Sequence, residues 1–157
     1  AFNSDELDIL DWVVASIHGN YSMSGGRVED YTNAYIGAAH NPYVDVIGHP
    51  AYPAYQPDYE KVIPVFKEFN KLVEINESAI PRSVRIINNY LEIIRLCKKY
   101  RVPVIVNSDA HFCMCVGKLD TALQMLKDND FPEELIFNRR WENVRERIEV
   151  RKGRIFE

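Results

Sequence analysis

Four side chains in this 157-residue sequence have the types and placement to do chemistry together: His18, His49, Asp109 and His111. Each follows a short apolar run, in VVASIHGN, VDVIGHP and VIVNSDAH. Asp109 and His111 are two residues apart, and in extended chain residues i and i+2 share a face, so an oxygen and a nitrogen can be aimed at one point. Imidazole and carboxylate together suit zinc, manganese or iron. Such an ion lowers the pKa of a bound water to about 7 and polarises a phosphoryl or carbonyl oxygen. Metal-assisted hydrolysis is the reaction class these residues favour.

Taken singly, each residue has a plainer reading. A lone histidine at a strand end is more often a hydrogen-bonded structural group, and Asp109 alone could cap its turn. His40 closes a helical pattern, where an imidazolium suits the helix dipole. The joint pattern, three strand ends plus a D-x-H, is what favours a metal. Cys113-Met114-Cys115 lacks the two-residue spacer of a zinc knuckle, and no second cysteine pair exists. It reads as a buried or partly buried pair of thiols.

The elements that must position these groups are legible as alternation. Apolar runs at 12–17, 43–47, 72–75 and 103–106 are too continuous for half-exposed strands and read as buried strands of a parallel sheet, with a weaker fifth run at 135–137. Helical patterns lie between them. Residues 28–39 share a face of Val28, Tyr31, Tyr35 and Ala38. Residues 59–70 group Val62, Val65, Phe66 and Phe69, with Pro64 expected to kink that helix or delay its start. Ser83 caps a helix whose face is Ile86, Ile87, Tyr90, Leu91, Ile94 and Leu96, and further helices are expected at 119–126 and 141–150. Strands alternating with helices predict an α/β fold, taken as a single domain over 1–157. In such folds the side chains just past the carboxyl ends of the strands converge on one crevice. The third run also ends in polar residues, Glu74-Ile75-Asn76-Glu77-Ser78.

Composition narrows the class. Apolar residues make up 46% and charged residues 27%, a globular balance. The net charge of -4 argues against broad binding to nucleic acid. No apolar run approaches the ~20 residues that span a bilayer, and AFNSDELDIL has no signal-peptide pattern. Three cysteines without a scaffold pattern suit a reducing cytoplasm. The sequence begins at Ala rather than Met, so residues upstream are expected.

SIHGN, IGHPAYP, VEINES and NSDAH, in this order, resemble the second half of the PHP (polymerase and histidinol phosphatase) family, and within it are most similar to the YcdX-like phosphatases. The resemblance implies part of a distorted (β/α)7 barrel, with about four parallel strands and flanking helices here and the N-terminal strands absent. It implies hydrolysis of phosphate esters, a small phosphorylated substrate, and up to three divalent ions (Zn, Mn or Fe) in the complete site. By the same resemblance His18 and His49 ligate one ion, Asp109 a second and His111 a third. Asp109 and His111 are the catalytic pair, and Asn76, Ser78 and Arg82 contact the phosphate, Arg82 by a bidentate fork. The family's first half carries an H-x-H and a metal-bridging glutamate; here no histidine precedes His18. Each metal would keep only one or two protein ligands. A second reading is therefore a non-catalytic, metal-binding half-barrel that needs a partner, either a second copy or the missing N-terminal half. A third is an amidohydrolase acting on C–N bonds. That class often places a lysine at a strand end, and none follows the four runs here.

Overall fold

A computed structural model describes residues 3–19 and 26–153. Four parallel strands form one sheet: β1 (Val14–Ala15), β2 (Val46–Ile47), β3 (Leu72–Asn76) and β4 (Val104–Asn107), in the order β1-β2-β3-β4. Among the described residues six α-helices accompany them: α1 (Ser4–Ile9), α2 (Val28–His40), α3 (Tyr59–Glu68), α4 (Val84–Tyr100), α5 (Asp120–Asp128) and α6 (Trp141–Lys152). Among the described residues each strand thus pairs with the next in sequence, with no reversal of order, and the sheet does not close.

The two faces differ in what covers them. Ile47, Val73, Ile75, Val104 and Val106 pack with Tyr35 of α2, Phe66 of α3, Tyr90 of α4 and Leu126 of α5 in the main core. The opposite face carries a smaller cluster of Val46, Leu72 and Ile105 against Trp12 and Phe137. Sequential parallel strands with α2 to α5 packed on one side are the local geometry of a βα barrel, in which side chains on the inner face of the strands point at one interior. The structure is compatible with part of such a barrel.

The four expected strands occur, the first two with only two residues each, and the expected fifth does not form. The run at 12–17 pairs only through Val14–Ala15, and Val14 is 47% exposed because β1 is an edge with a neighbour on one side. The fifth run, 135–137, reduces to a single bridge from Ile136 to Val104 between two 3-10 turns. There the Asn138 amide takes the place of a strand: its Oδ1 accepts from the Val106 N–H at 3.1 Å, and its Nδ2 donates to the Val106 carbonyl at 2.7 Å. That pairing blunts the outer edge of β4.

Helix faces shift by a residue or two from expectation. On α4 the buried set is Ile86, Tyr90, Ile93, Ile94, Leu96 and Cys97, and Leu91 faces out. On α2 Thr32 and Ala39 are buried and Val28 is exposed. On α3 Tyr59 and Ile63 join Val62 and Phe66 in the core while Phe69 is exposed. In each case a true 3.6-residue stripe replaces a neighbour picked for hydrophobicity. Ser83 caps α4 as expected, its Oγ accepting from the Ile86 N–H at 3.3 Å. α3 starts at Tyr59 and runs through Pro64, so the proline does not delay it.

α1 was not foreseen. It is fixed by a capping box, in which the Asn3 side chain accepts from the Glu6 N–H and the Glu6 carboxylate from the Asn3 N–H. α6 buries no residue and is held instead by charge. Arg147 and Arg151 reach the buried carboxylate of Asp45 at 3.1 and 2.5 Å, and Arg151 also donates to the Leu7 carbonyl at 3.0 Å. No helix among the described residues is long and apolar enough to cross a membrane.

Candidate functional site

The site forms where the carboxyl ends of the four strands meet. β1 and β2 approach closely there: the Gly48 N–H donates to the Ala15 carbonyl at 2.7 Å. A Cβ at Gly48 would stand 2.9 Å from Val14 Cγ1 and 3.1 Å from Ser16 Cβ, so glycine is what lets the strand ends draw together. The residues just past them, His18 and His49, then meet edge to face with ring centroids 4.9 Å apart. Ser16 Oγ lies 2.9 Å from His18 Nε2, and the Tyr52 ring stands 5.0 Å from His49. His18, His49, Glu74, Arg82, Asp109 and His111 all line one cleft of about 610 Å³.

Beneath the histidines lies Glu74, only 5% exposed in the middle of β3. Its Oε2 accepts from the His49 backbone N–H at 2.6 Å and from Asn76 Nδ2 at 3.2 Å; its Oε1 accepts from Asn107 Nδ2 at 2.8 Å. Asn76 continues the chain of bonds. It donates from Nδ2 to Asp109 Oδ2 at 3.1 Å and accepts at Oδ1 from the Ala79 N–H at 3.0 Å. Ser78 Oγ stands 3.5 Å from the same Asp109 oxygen. Both His49 and Asp109 have positive φ, 29° and 46°. Such backbone in a non-glycine residue costs of order 1–3 kcal/mol and persists only when its surroundings over-determine it. At His49 the backbone N–H is held by Glu74, and at Asp109 the side chain is held by Asn76.

Burial holds the pKa of His49 below its ordinary 6.5; the His18 ring adds to the depression, while the nearby Glu74 and Asp109 carboxylates oppose it. A neutral imidazole at neutral pH is the form that binds metal.

Of the residues singled out from sequence, His18, His49, Asp109, His111 and Arg82 share the cleft, and Asp109 and His111 are exposed at its mouth. His111 Nδ1 lies 2.9 Å from the Asp109 carbonyl. Ser78 lines the adjoining pocket with Arg82, Asp109 and His111. Arg82 is exposed and folds back, donating from Nε to the Ser78 carbonyl at 3.0 Å. Asn76, expected to touch the phosphate, is fully buried with both amide atoms engaged, so it reaches the cleft through the carboxylates of Glu74 and Asp109. His40 is exposed against Phe69, away from the cluster. Cys113 and Cys115 are exposed rather than buried, because residues 111–118 lie on the surface; Cys97 is the buried thiol. Asn20, the last residue of SIHGN, lies outside the described residues. Glu74 was missed, although a lone carboxylate inside an apolar run was its signal.

The donor set fits a divalent ion in kind and falls short in number. Two imidazoles face each other and carboxylates stand nearby, yet among the described residues no three His, Cys, Asp or Glu side chains stand close enough to hold one ion.

Residues 90–137 match the family model described as PHP-associated. A probable phosphatase of Caldicellulosiruptor bescii is 40% identical over 139 residues, covering 88% of this chain and 58% of that protein. A probable phosphatase of Caldanaerobacter subterraneus is 41% identical over 150 residues, covering 95% and 59%, and one of Clostridium novyi is 42% identical over 135 residues, covering 85% and 55%. The chain thus spans somewhat more than half the length of these curated relatives. These matches are consistent with the family resemblance drawn from the motifs: the chain carries a PHP-associated segment and is similar to proteins named probable phosphatases.

Proposed function

We propose that this chain contributes the His18/His49 and Asp109/His111 portion of a metal-assisted site that hydrolyses phosphate monoesters. The observation that carries the reading is the convergence of these four side chains and Arg82 on one cleft at the carboxyl ends of the strands. The names of the relatives, probable phosphatases, support the reaction class.

In this reading His18 and His49 hold a zinc, manganese or iron ion, with Asp109 and His111 available to further ions at the mouth. When bound, the ion supplies positive charge to a phosphoryl oxygen and acidifies a water. The chain's own residues do the rest. Arg82 releases its contact with Ser78 and grips the phosphate with its guanidinium fork. Ser78 offers a hydroxyl on the same rim. Asp109 and His111 are both at the surface of the cleft, and where no ion occupies them they accept and return protons. Asn76 keeps the Asp109 carboxylate aimed at the cleft.

The shortage of donors favours a companion reading of the same site. The remaining ligands come from another segment or another copy of the chain, and this half alone binds metal without efficient turnover.

The test is calorimetric titration of inorganic phosphate into the 157-residue chain with and without Zn(II). Phosphate is expected to bind only in the presence of the metal, and Arg82→Ala is expected to weaken it by about tenfold or more, the scale of one lost charge-assisted fork. Phosphate binding that ignores both Zn(II) and Arg82 would overturn the proposal.

A further inference from the structure

Glu74 is a carboxylate in a strand whose other residues are all buried and uncharged, and the three groups that reach its two oxygens are neutral donors from three places: the His49 N–H just past β2, Asn76 at the end of β3 and Asn107 at the end of β4. We infer that Glu74 is a positioning residue: its buried carboxylate ties the ends of β2, β3 and β4 together and so fixes where His49 and Asp109 point.

The bonds run in series. The left-handed turn at His49 is held by the 2.6 Å bond from its own N–H. The orientation of Asn76 follows from its Oδ1, which accepts from the Ala79 N–H and leaves Nδ2 to the two carboxylates. One Nδ2 proton therefore serves Glu74 and the other Asp109. A displacement of the Glu74 carboxylate is felt at His49 directly and at Asp109 through one rigid, fully buried amide. Three donors also explain the residue type, because an ionised carboxylate is all acceptor. Alanine would leave three donors without that partner. Glutamine preserves the geometry: its Oε1 serves His49 and Asn76, and the Asn107 amide turns over to accept from the new Nε2. Glutamine thereby separates a positioning role from one that needs negative charge.

The inference rests on reading His49 and Asp109 as site groups. Its test uses no hydrolysis, so it can fail while the phosphatase reading stands, and the reverse. Hydrogen exchange at the His49 backbone amide and the Asn76 side-chain amide is followed by NMR in the wild-type chain, Glu74→Ala and Glu74→Gln, each then titrated with Zn(II). In Glu74→Ala, protection is expected to fall roughly tenfold to a hundredfold at both amides, the scale of a lost hydrogen bond to a charged group, and Zn(II) affinity to fall with it. Glu74→Gln is expected to stay close to wild type in both readouts. Unchanged protection in Glu74→Ala would overturn the inference. So would a Glu74→Gln variant that keeps its protection yet loses Zn(II) binding as fully as Glu74→Ala, because the carboxylate would then act by charge or as a ligand; an unfolded Glu74→Gln would count equally against it. Should Glu74→Ala fail to fold, Asn76→Ala decides. It should shift the ¹³C signal of the Asp109 carboxyl and leave the His49 amide protected; an unshifted Asp109 signal or an unprotected His49 amide contradicts the series.

Discussion

The imidazole rings of His18 and His49 meet edge to face at 4.9 Å, although one follows β1 and the other β2. Neither ring is held by packing alone. His18 leans on Ser16, and His49 is set by the Glu74 bond to its backbone. The two imidazoles meet face to edge, and the Asp109 carboxylate, just past β4, lines the same cleft. Replacing His49 or Asp109 by Ala is expected to lower Zn(II) affinity by about tenfold or more while leaving the far-UV circular dichroism unchanged. Unchanged affinity in both variants would remove these residues from the site.

Gly48 makes that meeting possible. A methyl group there would press on Val14 Cγ1 at 2.9 Å, and a β-branched side chain cannot swing away cheaply. Gly48→Ala is expected to cost about 1–3 kcal/mol of stability, the usual scale of overpacking, and to weaken Zn(II) binding through the displaced His49. Urea denaturation and metal titration of the one variant measure the two effects together.

The depressed pKa of His49 has a signed consequence for the metal-free chain. Between the folded pKa and the unfolded 6.5 the native state binds fewer protons at this group than the unfolded state does. Stability therefore rises with pH across that window. This contribution is complete above pH 6.5 and is lost as pH falls from 6.5 toward the folded value. An NMR titration in the presence of a chelator should show the His49 ring titrating below 6.5, and His49→Ala should flatten the stability profile in the same window. A ring that titrates above 6.5 would show that Glu74 and Asp109 outweigh burial.

Ile105 tests the smaller face of the sheet. It is buried against Val46, Leu72, Trp12 and Phe137. Ile105→Asp places an unpaired carboxylate there, and a loss of about 4 kcal/mol or more is expected by chemical denaturation. A loss below about 1 kcal/mol would mean that this face is open to water.

Much of the site could be read directly from sequence. His18, His49 and Asp109-x-His111 each follow an apolar run, and parallel strands bring such ends together whatever the loops between them do. What escaped was of two kinds. Glu74 is legible only as part of the polar end of its run, because periodicity reports burial and not the hydrogen bonds a buried carboxylate makes. Asn76 shares the polar strand end with Ser78 and was given the same task, whereas strand alternation turns its amide inward onto two carboxylates. The helix faces slipped for a simpler reason: Leu91 and Val28 are as apolar as Ile93 and Ala39, and only packing against the sheet chooses between them. α1 depends on a local capping box that no hydrophobic pattern announces, whereas α6 forms where the sequence places it and is docked by the distant carboxylate of Asp45.

The most direct measurement is equilibrium dialysis of the 157-residue chain against Zn(II), with metal counted per chain by elemental analysis, beside the His18→Ala/His49→Ala double variant. Saturable binding of at least one ion per wild-type chain is expected, and its loss in the double variant, with both proteins folded. No zinc on the wild-type chain, or equal zinc on the two, would contradict it.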